Sequence, residues 1–569
     1  MTSSTVSLSS PLTLPCGQVL PNRIMKSALS EGLGTEEHSP DDRLERLYAR
    51  WGAGGYGLLV TGNVMVDRRF LGEPGNVVIE DDRDADALTR WAKTAKDGGS
   101  PIWMQLNHPG RQGNPITTDG RTVAPSAVGV TIPGIPAPRE LTDTEIRDII
   151  TRFATAAVVA EECGFDGVQI HAAHGYLVSQ FLSPLSNLRT DAWGGDIDHR
   201  ARFLIEVVRA VRAAVAPGFA VGVKLNSADF QRGGFTEDES RAVVEMLSRE
   251  SIDLIEISGG SYESPAMMGK PTTASASTRA REAYFLDYAA TVRSAAPTTP
   301  IAVTGGFRSE TAMSEAVTTG DCDLVGLGRP TAVVPGAAAD VISGRTPVLD
   351  SADLALRLPA RLRTSPSVKS IEGALDLQWH TDQLHAMGAD QDPDPRRPLR
   401  KTAVTTIKRN GVDAFRSKRA VSVATDQKAA LRKFRRERLV GRYVANPTVL
   451  ALRKLGVRTH LATELETTGR TTGLTRRVPV AAAFDDGGAW IISQHGERSG
   501  WGRNIAADPE VRIMQGSTWR TGRAHFRHDD DVAARMRTFS SNAILASLNA
   551  AGFRALQSDP ISVRIDFTD

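Results

Sequence analysis

Cysteine is scarce in this chain: Cys16, Cys163 and Cys322 are the only three among 569 residues. They lie far apart and form no CxxC pair, which leaves no thiolate cluster for an iron–sulfur centre or a cysteine zinc site. No disulfide framework is expected either, which suits a reducing cytoplasm. Long apolar runs are also missing, and nothing approaches the ~18 unbroken residues of a membrane span. The opening MTSSTVSLSS carries no basic segment and no apolar core, so no signal peptide is expected there. Charge of one sign is not in excess, and a net +2 gives no global pull toward nucleic acid or lipid. A soluble cytoplasmic protein is the expectation.

What is present is length and alternation. A chain of 569 residues, 41% hydrophobic and 24% charged, predicts ordinary globular structure in several domains. Short apolar runs at 23–28, 58–61, 102–106, 167–171, 220–225, 254–258, 301–304 and 324–327 read as eight strands. Segments of three- and four-residue apolar spacing lie between them. Two of these open with Thr-x-x-Glu capping boxes, at Thr142/Glu145 and Thr236/Glu239. Strands alternating with helices predict an α/β fold, a TIM (β/α)8 barrel. A doubly wound sheet is the rival, but no GxGxxG follows the first strand.

In such a barrel the chemistry sits at the C-terminal ends of the strands. The run GVQI ends there on His171, His174 and Tyr176, three groups able to donate a hydrogen bond or a proton. After the seventh strand come Gly305, Gly306, Phe307 and Arg308, and after the eighth Gly328 and Arg329. Glycines let backbone N–H groups approach an anion and arginine adds a fork of donors, the usual barrel phosphate site. Ser30, Thr61, Gly62, Asn63, Gln105 and Lys224 occupy other strand ends. A lysine inside the mouth needs an anionic partner. Taken singly, each polar residue is better read as a satisfied core residue, and either glycine loop is as well read as a tight turn. Together on one rim they favour a phosphorylated heteroaromatic cofactor. Zinc on HAAH is the competing reading, and it lacks a third ligand nearby.

PLTL…PNRIMKSALS, LLVTGNVMVD, QLNHPGRQ, APSA, HAAHGYLVSQFLSPLSNLRTDAWGG…RARF, VTGGF and GLGRP together resemble the old yellow enzyme family over residues 10 to about 390. The resemblance implies a barrel that holds FMN and reduces the C=C bond of an enone or enal. It places Ser27, Ala28, Ser30, Gly62 and Gln105 around the flavin ring and Lys224 at its N1/C2=O edge. Gly305, Gly306, Gly328 and Arg329 would hold the phosphate. His171 and His174 would bind the substrate carbonyl, and Tyr176 would supply a proton. Ala28 stands where the family commonly has proline, Ser30 where it has threonine or cysteine, and Lys224 where arginine is more frequent.

From Arg396 to Arg442 sixteen Lys/Arg face three Asp/Glu. Such a run is expected as a solvated or interdomain helix, with contact to an anionic cofactor tail as the alternative and nucleic acid disfavoured. Beyond about residue 439 the texture turns to β, with a hairpin at Asp486-Gly487-Gly488. The loop 468–477 combines hydroxyls, glycines and arginines, an anion-binding composition. ETTGRTTGLTRRVPV and SGWGRNIAADPEVRI resemble the deazaflavin-dependent nitroreductase family of split β-barrels, which implies coenzyme F420. By that resemblance Arg470, Thr472 and Arg476 would hold its phosphate and ring, with Trp501 and Asn504 nearby. Gly502 and Arg503 depart from the bulkier residues common there.

The domains expected are 1–392, an FMN barrel; 393–438, a partly helical basic connector; and 439–569, a deazaflavin-binding split barrel. The function expected is ene reduction at FMN, with hydride supplied by reduced F420 from the C-terminal domain. The alternative is an NAD(P)H-dependent ene-reductase whose C-terminal domain acts independently or only tethers deazaflavin. A small-molecule enone or enal is the expected partner, with homo-oligomerisation left open.

Overall fold

A computed structural model describes residues 6–114, 118, 121–129, 137–259, 285–349, 354, 366–402, 404–405, 463–470, 473–493, 499–528, 530, 532, 535 and 561–568. The chain divides into two units, residues 1–408 and 409–569. Most of the expected basic connector, 406–438, lies outside the described residues, as does Thr472.

In the first unit all eight expected strands form: β1 Ile24–Lys26, β2 Leu58–Met65, β3 Ile102–Asn107, β4 Gly167–Ala172, β5 Ala220–Asn226, β6 Leu254–Ser258, β7 Ile301–Thr304 and β8 Leu324–Leu327. Each pairs parallel with its neighbour, and β1 pairs with both β8 and β2, so the sheet closes into a barrel. Both capping boxes form: Thr142 starts the helix Asp143–Glu162 and Thr236 the helix Glu237–Leu247. In each, the threonine side chain accepts from the N3 amide while the glutamate reaches back, satisfying amides the helix cannot.

Side chains on a strand alternate between two faces. In the barrel one face meets the helices and the other the lumen. Met25, Leu58, Val60, Trp103, Ala220, Leu254, Ala302 and Leu324 fill the lower lumen as one apolar cluster. The hairpin Leu12–Thr13/Val19–Leu20 closes that end, adding Leu14 and Leu20 to the cluster. Trp103 Nε1 donates to Gln18 Oε1 there at 2.9 Å.

The Trp103 indole fits because its neighbours are glycines. A Cβ on Gly222 would stand 2.7 Å from Trp103 Cζ3, and one on Gly167 would stand 2.8 Å from Nε1. Gly222→Val therefore overpacks a rigid lumen, and the expected loss is about 1–3 kcal/mol of stability. Chemical denaturation of the variant beside wild type measures it; an unchanged midpoint contradicts this packing.

Directly above that apolar floor the lumen-facing residues turn polar. The same alternation that points Trp103 inward points Gln105 and Asn107 inward on β3. On the other strands it selects Gln169 and His171, Lys224 and Asn226, Glu256 and Ser258. The site is built from this upper layer.

Among the described residues, the second unit is a curled antiparallel sheet of seven strands. Their order is Thr475–Val480, Thr463–Thr468, Glu510–Gln515, Thr518–Arg527, Ile561–Phe567, Gly488–Ser493 and Ala482–Asp485. The expected hairpin is present, with Asp485 opposite Gly488. Leu465, Ile491, Ile513, Val563 and Ile565 form its core, together with Ile505 of the helix Gly500–Ala507.

Candidate active site

His171 is the penultimate residue of β4, and its ring is buried between Asn107 and His174. Nδ1 lies 3.4 Å from Asn107 Oδ1, and Nε2 lies 3.3 Å from His174 Nδ1. His174 follows in a left-handed backbone conformation, φ 63°, rare for a residue with a Cβ. Two contacts hold it there: its N–H donates to Asn226 Oδ1 at 3.2 Å, and Nε2 lies 2.9 Å from Ser258 Oγ. Tyr176 precedes the short helix Leu177–Leu182 with its ring 4.8 Å from that of His171. Asn63 Nδ2 donates to its hydroxyl at 3.3 Å. The structure thus brings the three expected groups together and shows that β2, β3, β5 and β6 all contribute to fixing them.

Gln105 and Lys224 belong to one buried chain of side chains across the lumen. Gln105 Nε2 donates to Gln169 Oε1 at 2.7 Å, and Gln169 Nε2 donates to Glu256 Oε2 at 2.7 Å. Lys224 Nζ donates to the other carboxylate oxygen at 2.8 Å. Glu256 is the anionic partner a buried lysine requires. Sequence reading named neither it nor Gln169, Asn107, Asn226 or Ser258. Asn107, Gln169 and Asn226 carry the strand parity of Gln105, His171 and Lys224, and that parity was the available signal; Glu256 and Ser258 lie on a strand where no residue was named.

The remaining expected residues lie on the same rim with different surroundings. Ser27 Oγ is 2.7 Å from Thr304 Oγ1, and Ala28 packs against the apolar floor. Ser30 donates to Glu73. Gly62 N–H donates to Glu31 Oε1 at 2.9 Å, and a Cβ there would stand 2.2 Å from Leu29 O, so the fold itself demands glycine. Gly305 and Gly306 have φ of 138° and 95°, open backbone that only glycine adopts readily. A Cβ on Gly328 would meet only Leu29 Cδ2, at 3.7 Å. Arg329, exposed, pairs at 2.9 Å with Asp376, a carboxylate on the helix Pro366–Gly388.

In the second unit Asn504 ties the helix to the arginine-rich loop. Its Nδ2 donates to Thr467 Oγ1 at 3.0 Å, and its Oδ1 accepts from Arg470 N–H at 3.4 Å. Arg476 stands opposite Thr467 in the sheet, exposed like Arg470. Trp501 packs half-buried against the core. Arg470, Arg476, Trp501 and Asn504 therefore share one end of this sheet.

Burial dominates the electrostatics of the barrel rim. It holds His171 well below the ordinary histidine value, with the His174 and Lys224 charges pushing the same way. Burial, then Lys224, holds His174 down to about 3. His108, on the loop after β3, is held down to about 4 by burial, with Asp67 opposing. All three imidazoles are neutral near pH 7. In the unfolded chain each would take its proton near the ordinary 6.5, so the stability their neutral forms carry is lost as pH falls below that value. At about pH 5 the loss is on the order of 2 kcal/mol for each of His174 and His108. A melting temperature that falls steeply between about pH 7 and pH 5 is expected; a flat profile contradicts the assignment.

A closed parallel barrel with its polar layer at the C-terminal rim and glycine–arginine loops after β7 and β8 is the architecture of the old yellow enzyme class of oxidoreductases. Residues 7–346 match the NADH:flavin oxidoreductase / NADH oxidase family, and the chain belongs to that family. Residues 448–565 match a family of quinone reductases that depend on the reduced form of coenzyme F420. The NADH-dependent flavin oxidoreductase iliE of Hypocrea jecorina is 43% identical over 347 residues, 57% of this chain and 86% of that protein. The NADH-dependent flavin oxidoreductase iccE of Talaromyces variabilis is 40% identical, over 58% of this chain and 84% of that protein. Among solved structures, the old yellow enzyme homologue from Zymomonas mobilis aligns with TM-score 0.52 and 25% identity, covering 61% of this chain and 95% of that one. Morphinone reductase aligns with TM-score 0.52 and 25% identity, covering 62% and 93%. The chain is an oxidoreductase of old yellow enzyme type carrying an F420-dependent reductase domain.

Proposed function

We propose that the barrel binds FMN at its C-terminal rim and reduces the C=C bond of an α,β-unsaturated carbonyl compound. The observation that carries this reading is the facing pair His171 Nε2 and His174 Nδ1, 3.3 Å apart beside the Tyr176 phenol. The rim fits the cofactor. Ser227 Oγ is buried there without a hydrogen-bond partner among the described residues, and so is the atom of the Asn107 amide that faces away from His171. The positive-φ glycines at 305 and 306 present open backbone suited to a phosphate. Reduced FMN, when bound, supplies the hydride.

The protein's own groups do the rest. Ser258 Oγ donates to His174 Nε2, which keeps the hydrogen of that ring on Nδ1. If the Asn107 amide turns its NH2 toward His171 Nδ1, the hydrogen of that ring sits on Nε2. With those tautomers the two rings do not bond to each other across their 3.3 Å gap, and both N–H groups are left to converge on one carbonyl oxygen and stabilise the negative charge that develops on it. Because both rings stay neutral, they act as donors rather than titrating acids. Tyr176 gives its proton to the α-carbon as general acid, and Asn63 Nδ2 steadies the phenolate left behind.

Arg470, Thr472 and Arg476 of the C-terminal domain would hold reduced F420, with Trp501 and Asn504 beside the ring, and F420 bound there would supply hydride for the barrel. The shared end of the sheet occupied by Arg470, Arg476, Trp501 and Asn504 supports that assignment. Anaerobic stopped-flow mixing with reduced F420 tests the relay: FMN should bleach. If FMN stays oxidised while NADH bleaches it, the barrel is an independent NADH-dependent enzyme, as the names of its relatives favour. Arg470→Ala should abolish F420-driven alkene reduction and spare FMN content; unchanged F420-driven turnover contradicts the relay.

A further inference from the structure

We propose that Glu256 is a positioning residue that sets the charge the barrel presents to FMN, converting the lysine at the ring edge from a bare cation into one end of a buried dipole. The inference rests on the reading that FMN lies across the barrel mouth. Lys224 and Glu256 face each other in register on β5 and β6, and their side chains are 4% and 0% exposed. At 2.8 Å in a water-poor lumen, their charges largely cancel at any third point beyond the pair. Glu256 also fixes direction. Its two oxygens accept from Lys224 and from Gln169, and Gln169 in turn accepts from Gln105. The cation and the amide expected at the ring are thus locked to one carboxylate. Neither can swing toward the cofactor without breaking a buried bond.

A bare cation at the pyrimidine edge would favour the electron-rich reduced cofactor over the oxidised one. A compensated cation favours it less, so the pair holds the FMN potential down. Glu256 plays no direct part in proton or hydride transfer; it acts through Lys224 and Gln105.

The test is the FMN midpoint potential of the full-length protein, read spectrophotometrically against a reference dye. Glu256→Gln keeps the shape and the acceptor for Gln169 but removes the negative charge. Reduced FMN should then bind at least about tenfold tighter relative to oxidised FMN, an upward shift of ~30 mV for a two-electron couple. Lys224→Met should shift the potential down. The double variant Lys224→Met/Glu256→Gln replaces the ion pair with a neutral one of similar volume, which buried pairs tolerate. Its potential should stay close to wild type, and this variant decides the matter if Glu256→Gln does not accumulate. A double variant whose potential falls as far as that of Lys224→Met, or a Glu256→Gln potential equal to wild type, overturns the inference. Wild-type protein that retains no FMN overturns the underlying reading instead, before any variant is compared.

Discussion

Tyr176→Phe is expected to slow alkene reduction by about 10²–10⁴-fold while FMN reduction by its donor continues unchanged. Phenylalanine preserves the ring that packs 4.8 Å from His171, so the pocket keeps its shape. What is lost is the hydroxyl that accepts from Asn63 and stands ready to give a proton. Separating the two half-reactions by stopped flow reads the effect directly. Unimpaired re-oxidation by an enone would move the proton source to solvent or another side chain.

His171→Ala or His174→Ala should each cost about 10²–10³ in kcat/KM, the typical effect of removing one donor from a charge-stabilising pair. The double variant should cost much less than the product of the two, because both rings serve one oxygen. His174 carries a second burden, since its backbone φ of 63° strains an ordinary residue. His174→Asn tolerates that conformation and keeps an N–H donor. It should therefore retain more activity than the alanine variant. If alanine and asparagine at 174 behave alike, the ring nitrogen is not donating to substrate.

The barrel was legible because its strands are buried on both faces and end abruptly in glycine or polar residues. LLVTG, IWMQLN and VGVKLN announce themselves in this way, and all eight runs formed where expected. That His171, His174 and Tyr176 come together was legible for the same reason, since His171 ends one such run. Glu256 was harder. It sits inside LIEIS, which reads as a plain apolar strand until the inward parity of its neighbours is known. Counting by twos from Trp103 through Gln105 reaches Asn107, and the same step links Gln169 to His171 and Glu256 to Ser258. The left-handed turn at His174 has no signal beyond the following glycine, and it is enforced by Asn226 and Ser258 on other strands. The Arg329–Asp376 pair joins residues far apart in sequence, and nothing local marks it. In the second unit the hairpin and strands were plain, whereas Asn504 acquires its place only through Thr467 and Arg470.

The most direct measurement is the visible spectrum of the full-length protein after incubation with FMN and removal of free nucleotide. A yellow protein with stoichiometric FMN is predicted, bleached anaerobically by its donor and recoloured by a conjugated enone. A colourless protein that retains no FMN contradicts the account.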